Sequence, residues 1–217
     1  MIDTTIPRIS LTFKNDMTRE FPEPTLPEGF TFVKFNGTEE DKRHWAEVLI
    51  TVGFHGGSVE KGVETFNHEF GSDIELAKRR VFFIVAPDGE YIGTCTAWEY
   101  EHLHRGTVHW LGINPKYQKY GLGRAIIEMC MHILKEELPG LPVYLGTQTS
   151  SHKAICLYLK LGFYPVYWHE QSKKDYEEAI RVLKGVMREP DYTQLASYVF
   201  DDSAKEKFIT DHRKGNE

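Results

Sequence analysis

Two glycines, Gly121 and Gly123, lie in a polar segment that leads directly into a predicted helix. Glycine lets the backbone approach a bulky ligand, and the first turn of a helix presents unpaired N–H groups and the positive end of the helix dipole. Lys119 and Arg124 add positive charge, and Gln118 adds a side-chain amide donor. The segment therefore predicts an anion site suited to phosphate, and a tight turn before an ordinary core helix is the alternative.

The distribution of charge favours the anion site. The chain has 217 residues and a net charge of −6, which argues against a general nucleic-acid-binding protein. Residues 102–127 and 138–169 nevertheless contain no Asp or Glu, although an even spread of the 32 acids predicts about eight or nine there. These windows predict a locally basic face, and the cations in them are Arg105, Lys116, Lys119, Arg124, Lys153 and Lys160.

Composition excludes several other classes of protein. The cysteines Cys95, Cys130 and Cys156 are far apart and odd in number, so neither a disulfide framework nor a metal site is expected. No stretch approaches the roughly 20 apolar residues that a membrane span needs. The N-terminus has neither the basic start nor the apolar core of a secretory signal. We expect a cytoplasmic protein without a membrane partner or a bound metal.

Hydrophobic periodicity predicts alternating strands and helices around the glycine segment. Residues 1–28 contain four prolines and are predicted to form an irregular arm. Strands are predicted over residues 30–35, 81–85, 91–99, 107–113, 143–146 and 163–168. Helices are predicted over residues 40–52, 59–70, 122–138, 150–161, 176–187 and 193–200. This order predicts an α/β protein in which helices cover the faces of a mixed sheet.

Two blocks of the sequence resemble the GCN5-related N-acetyltransferase (GNAT) family. The first, residues 111–124, is similar to the acetyl-CoA signature of that family, in which Arg/Gln-x-x-Gly-x-Gly/Ala opens a helix; Gln118, Gly121 and Gly123 fill its fixed positions. The second, residues 151–163, resembles the family pattern Asn-x-x-Ala-x-x-x-Tyr-x-x-x-Gly-Phe, with Ser151 in place of Asn. With the element order, the resemblance spans roughly residues 30–168.

The resemblance implies a fold and a division of the chain. The implied fold is α/β (α+β), with a mixed, mostly antiparallel central sheet of six to seven strands and helices on both faces. The irregular arm then covers residues 1–28, and the acyl-CoA-binding catalytic domain covers residues 29–169. Residues 170–217 form a helical C-terminal extension.

The resemblance also implies acetyl-CoA as co-substrate, with no metal. The pyrophosphate is expected on backbone N–H groups between Gln118 and Arg124, and the pantetheine arm beside the strand that ends in residues 111–113. The implied coenzyme-binding residues are Leu111, Gly112, Ile113, Gln118, Lys119, Tyr120, Gly121, Leu122, Gly123, Arg124, Ser151, Lys153 and Tyr158. Tyr158 is expected to protonate the departing thiolate, and a core tyrosine is the alternative.

The base that deprotonates the attacking amine is open at the sequence level. The strand over residues 107–113 has no carboxylate, and its titratable side chain is His109. Strict alternation would place His109 on the same face as Leu111 and Ile113. Glu99 and Glu101, at the end of the preceding strand, are candidates that act directly or through water, and His102 and His104 are further options. A water chain without a dedicated base is the remaining alternative.

The acceptor is expected to be an amine of a small molecule or a peptide. In the family the first two helices and their loop wall the acceptor site, which here places the glycine-rich residues 53–58 beside it. The aromatic residues 163–168 are expected in the core, in the pocket or in a homodimer contact. A non-catalytic acyl-CoA-binding regulatory module of the same fold is the alternative function, and a nucleotide-binding α/β protein or an interaction protein without a ligand are further ones.

Overall fold

The computed structural model describes residues 2–202, which contain eight strands and seven α-helices. The strands are β1 (Ser10–Asn15), β2 (Thr31–Lys34), β3 (Val81–Val85), β4 (Tyr91–Tyr100), β5 (Arg105–Ile113), β6 (Val143–Gln148), β7 (Tyr164–Tyr167) and β8 (Phe200–Asp201). The helices are α1 (Glu39–Thr51), α2 (Val59–Phe70), α3 (Ile74–Arg80), α4 (Leu122–Glu137), α5 (His152–Lys160), α6 (Glu170–Leu183) and α7 (Glu189–Ser197). Within the described chain, none of these helices has the length and apolar character that a membrane crossing requires.

The chain divides into two compact units. The central unit comprises residues 19–99 and 106–140, and the terminal unit comprises residues 1–18, 100–105 and 141–217, of which the structure describes the part within residues 2–202. Residues 203–217 of the predicted C-terminal extension lie outside the described residues. The domain boundaries expected after residues 28 and 169 stay a prediction.

In the central unit the strands follow the order β2-β3-β4-β5. The β3–β4 hairpin turns through Gly89, whose φ of 87° is in the region that favours glycine. Helix α1 begins at Glu39, one residue before the predicted start, and the side chain of its N-cap Thr38 accepts a hydrogen bond from the backbone N–H of Asp41. Helix α4 ends near Pro139, as predicted.

Helices α1 and α2 pack closely over an aromatic core in the central unit. Trp45, Phe66 and Phe70 are fully buried in it, with Phe35 and Phe83 from the strand side. The helices approach each other at Gly62, where an added Cβ would lie 2.3 Å from Cβ of Ala46. Only glycine fits this contact without moving the two helices apart, because packed cores do not absorb an extra methyl group freely.

The terminal unit contains the strand order β6-β1-β7-β8. Strand β1 pairs antiparallel with β6 and β7, while β8 pairs parallel with β7. The predicted mixed, mostly antiparallel α/β fold is confirmed, with eight strands instead of six to seven. Residues 10–15 were expected in an irregular arm, and this was wrong for β1, where Leu11, Phe13 and Asn15 alternate into the buried face despite the nearby prolines. Helix α3 and strand β8 were not predicted.

Candidate coenzyme loop and active site

The segment between β5 and α4 is held in an open, left-handed conformation. Gly121 is the N-cap of α4, with φ 81° and ψ −6°, and Lys119 also has a positive φ of 77°. No atom lies within 4 Å of the position that a Cβ on Gly121 would occupy. The sequence predicts that glycine here allows a ligand to approach the backbone closely, and the space beside Gly121 is open.

A run of backbone N–H groups in this segment has no hydrogen-bond acceptor among the described residues. The N–H of Gln118 donates to the carbonyl of Pro115 at 3.3 Å, and that of Arg124 donates to the carbonyl of Gly121 at 3.0 Å. Between them, the groups without an acceptor are those of Lys119, Tyr120, Gly121, Leu122 and Gly123. Because the dipole of α4 adds to their partial positive charge, these N–H groups can bind an anion such as a diphosphate.

Glu90, in the β3–β4 hairpin, fixes the approach to this segment. Its Oε1 accepts a hydrogen bond from Nδ2 of Asn114 at 3.1 Å, and its Oε2 accepts one from the Tyr117 hydroxyl at 2.8 Å. Nζ of Lys116 lies 3.5 Å from the same Oε2. The hydrogen bond to Glu90 is the main cause that raises the pKa of Tyr117, so the phenol remains a donor. Glu90 therefore orders the chain immediately before the run of N–H groups.

Acids from elsewhere in the chain reduce the basic face that the sequence predicted. Arg124 Nε donates to Oε1 of the buried Glu128 at 2.8 Å, and Lys116 is paired with Glu90. Lys119 is exposed and has no ion pair among residues 2–202. Residues 102–127 contain no acid, but in the structure Glu128 on α4 and Glu90 in the β3–β4 hairpin lie beside the cations of this loop. Lys119 is the cation of this segment that remains available to a ligand.

Strand β5 is irregular at Trp110, which has a φ of 47° in the left-handed region that non-glycine residues rarely adopt. The rings of His109 and Trp110 both lie on the side of α1 and α2, since His109 contacts Phe70 and Trp110 contacts Trp45. Two consecutive side chains on one face are the mark of a β-bulge.

The bulge contradicts the expected position of His109. A Cβ on Gly112 would meet Leu49 and Val52 at 3.1 Å, so Gly112 also faces α1. Ile113 lies on the opposite side, near Gly93, and alternation places Leu111 there as well. His109 therefore does not share a face with Leu111 and Ile113, because the left-handed residue between them breaks the two-residue repeat.

His109 is paired with a carboxylate that no sequence pattern indicates. Its Nε2 lies 3.4 Å from Oε2 of Glu69, on α2. Burial lowers the pKa of His109, and the hydrogen bond and charge of Glu69 oppose that shift. The imidazole is therefore mainly neutral near pH 7 and has a carboxylate beside it that can stabilise the protonated form.

The two glutamates proposed as alternative bases have different surroundings. Glu99 lies 3.5 Å from the guanidinium of Arg80, which is buried and also binds Glu137 at 2.7 Å. Glu99 is thus part of an ion-pair network in the central unit. Glu101 belongs to the terminal unit, in an exposed turn between β4 and β5.

The remaining predicted residues lie in the terminal unit on α5. Tyr158 is buried, with its ring 6.2 Å from that of Phe13 and 6.1 Å from that of Phe163. Ser151 occupies the N-cap of α5, but its hydroxyl accepts from Nε2 of Gln148 at 3.1 Å and caps no helix N–H. Lys153 is exposed in the first turn.

A family model described as the acetyltransferase (GNAT) family matches residues 54–163, which include both β5 and the loop at the start of α4. This chain belongs to the GNAT family. That the open loop with its run of N–H groups serves as the acetyl-CoA signature segment stays a prediction from the sequence. Among the described residues of this GNAT chain, no group of three or more His, Cys, Asp and Glu side chains is arranged to hold a metal.

Curated relatives of this GNAT chain include two acetyltransferases. The chain is 31% identical over 108 residues to an N-alpha-acetyltransferase of Sulfurisphaera tokodaii, covering 45% of this chain and 65% of the relative. It is 28% identical over 148 residues to a mycothiol acetyltransferase of Streptomyces coelicolor, covering 66% of this chain and 46% of the relative. The chain thus spans about two thirds of the first relative and about half of the second.

A solved GNAT structure has the same fold. The crystal structure of a GCN5-related N-acetyltransferase from Sphaerobacter thermophilus matches with a TM-score of 0.58 at 21% identity. The match covers 74% of this chain and 49% of that chain. At this identity the likeness supports the GNAT fold and says nothing of the acceptor.

Proposed function

We propose that this GNAT protein transfers the acetyl group of acetyl-CoA to a primary amine of a small molecule or peptide, by direct attack in a ternary complex. The observation that carries the proposal is the run of unpartnered N–H groups from Lys119 to Gly123 at the start of α4. GNAT proteins use acetyl-CoA as co-substrate, and these N–H groups present the partial positive charge that binds a diphosphate. Lys119 adds one cation there, and Glu90 keeps the segment in place before the ligand arrives.

His109 is our choice for the base that takes the proton from the attacking amine. It is partly buried beside Glu69, and this desolvation lowers its pKa, which keeps the imidazole neutral and able to accept a proton. The Glu69 carboxylate then stabilises the imidazolium that forms. Glu99 is a weaker candidate because its carboxylate is paired with Arg80.

Two further parts of the chain are expected to take part in the bond changes. The amine nitrogen attacks the thioester carbonyl carbon, and the C–S bond breaks as the tetrahedral intermediate collapses. We expect a backbone N–H at the bulge around Trp110 to stabilise the oxyanion, because a bulge releases N–H groups from the strand ladder. By the family pattern, Tyr158 hydrogen-bonds to the departing thiolate or protonates it.

Acetyl-CoA binding and turnover test the proposal separately. Isothermal titration with acetyl-CoA should show one site per chain, and a thiol-reactive dye should report free CoA when amines are added. Tyr158→Phe should lower kcat with little change in coenzyme affinity, because the phenyl ring keeps the packing against Phe13 and loses only the hydroxyl. Tight coenzyme binding without thiol release for any amine would favour the non-catalytic module.

The relatives suggest which acceptors to test first. One is an N-alpha-acetyltransferase and the other a mycothiol acetyltransferase, so both carry out acetylation according to their names. Alpha-amines, as at a peptide N-terminus, are therefore our first class of acceptor. A homodimer stays a prediction, which light scattering of the purified chain can test.

A further inference from the structure

The aromatic core of the central unit contains three buried nitrogens without a hydrogen-bond partner among the described residues. They are Nε1 of Trp45, Nε2 of His55 and Nε1 of Trp110. The three rings form a triangle, with centroids 5.4 Å apart for Trp45 and His55, 5.2 Å for Trp45 and Trp110, and 5.5 Å for His55 and Trp110. Because buried polar groups in native proteins are nearly always paired, this indole–imidazole triangle calls for a ligand or an ordered water.

The described residues around the triangle do not supply the missing acceptor. An indole N–H is only a donor, so the two tryptophans cannot bond to each other. Other rings in contact with them include the phenyl groups of Phe66, 5.3 Å from Trp45, and Phe54, 5.3 Å from Trp110, and the imidazole of His109, 5.2 Å from Trp110. Neither indole N–H has a hydrogen bond to any described residue. The donors therefore need an oxygen from outside this set of side chains.

The local charge favours a neutral oxygen over an anion. Burial lowers the pKa of His55, so its imidazole is neutral near pH 7 and offers one donor or one acceptor. His109 and its partner Glu69 follow on the same face, since the rings of His109 and Trp110 are 5.2 Å apart. A carboxylate in the triangle would be an unpaired buried charge near Glu69, which is costly. A carbonyl oxygen has two lone pairs for two N–H donors and carries no charge.

We propose that the triangle recognises the neutral carbonyl oxygen of an amide that lies next to the reacting amine of the acceptor. This assignment rests on the proposed acetyl transfer, since the triangle lies on the face of β5 that also carries His109. The two indole N–H groups donate to the oxygen, and His55 donates to it as well or accepts from the amide N–H. Peptide N-termini and amino-acid amides fit this chemistry; free amino acids and alkylamines do not.

The turn that carries His55 provides the entry. Phe54 is partly exposed, and positive φ values at His55, Gly56 and Gly57 make the turn dependent on glycine. An added Cβ at Gly56 or Gly57 would meet no atom within 4 Å, so the turn is not packed in place there. We expect it to move when an acceptor reaches the indoles.

Trp110→Phe tests the assignment, because it keeps a ring at the bulge and removes the N–H. The probes are alaninamide and its hydrocarbon isostere, in which an isopropyl group replaces the amide. We expect wild type to prefer alaninamide in kcat/KM, and Trp110→Phe to reduce that preference by about tenfold, as for a lost hydrogen bond to a buried donor. Trp45→Phe should act in the same direction, and thermal unfolding will show whether it still folds.

The matched control is Trp98→Phe, which removes an indole N–H of the same aromatic core outside the triangle. It should leave the preference unchanged. Three results would overturn the assignment while leaving acetyl transfer intact. They are equal kcat/KM of wild type for the two probes, an effect of Trp98→Phe on the preference as large as that of Trp110→Phe, and a preference for alanine over alaninamide. Coenzyme binding without transfer to any amine would overturn acetyl transfer and the assignment together.

Discussion

Replacing Gly121 with alanine separates ligand binding from backbone strain in the coenzyme loop. Gly121 has a φ of 81°, and an added Cβ there would meet no protein atom within 4 Å. In the protein without ligand, the cost of Gly121→Ala is therefore the left-handed backbone alone, about 1–2 kcal/mol in free energy of unfolding. With acetyl-CoA, the new methyl group also occupies the open space beside the five N–H groups.

Gly140 is a matched control in the same unit. It has a φ of 80°, and an added Cβ there would also meet no atom within 4 Å, but it lies beyond the C-terminal end of α4. Gly140→Ala should therefore lose a similar free energy of unfolding without touching the loop. Because both variants carry the same backbone strain, a difference between them in coenzyme affinity reports contact with the ligand.

Urea unfolding and titration with acetyl-CoA measure the two effects. Both variants should lose about 1–2 kcal/mol of unfolding free energy. Only Gly121→Ala should weaken coenzyme binding, by at least about tenfold, because a bulkier backbone position keeps the diphosphate from the N–H groups. Equal affinities for the two variants, at equal loss of stability, would refute a diphosphate site at the start of α4.

Three further predictions concern the surroundings of the site. Glu90→Gln should raise the Kd for acetyl-CoA about threefold to tenfold, because its hydrogen bonds to Asn114 and Tyr117 lose their charge; titration checks this, and Glu75→Gln on α3 should have no effect. Gly62→Ala should lower the free energy of unfolding by about 1–2 kcal/mol, because the free-energy cost of overpacking exceeds the gain from the higher helix propensity of alanine. An unchanged midpoint of urea unfolding would contradict the close helix contact. Burial lowers the pKa of His109, so the unfolded chain binds the proton first and stability falls as the pH drops through about 6.5. His109→Gln should flatten this loss in urea unfolding series between about pH 8 and pH 5, and an identical slope would refute it.

The local elements around the coenzyme loop could be predicted because their signals are local. The N-cap at Thr38, the hairpin turn through Gly89 and the glycines before α4 each encode a backbone conformation within a few residues. Strand β1 was missed because prolines on both sides outweighed its short alternation. Helix α3 has only seven residues, too few for a clear hydrophobic period.

The surroundings of the site could not be predicted because they depend on contacts distant in sequence. Glu69 is 40 residues from His109, and Glu90 is 27 residues from Tyr117. No sequence pattern marks Trp110 as left-handed, since a bulky residue rarely adopts that conformation. The error about His109 followed directly, because alternation fails wherever an unrecognised bulge interrupts a strand.

The ion pair between Arg124 and Glu128 has a consequence for how ligand affinity responds to ionic strength. With this guanidinium neutralised inside the protein, Lys119 contributes the only uncompensated cation within the described part of the loop, and dipoles supply the remaining attraction. Fixed amide dipoles at contact distance are screened far less by dissolved ions than exposed charges are. We therefore expect the proposed diphosphate site to select its anion by the fit of the phosphate oxygens to the row of N–H donors, with little long-range attraction of other polyanions.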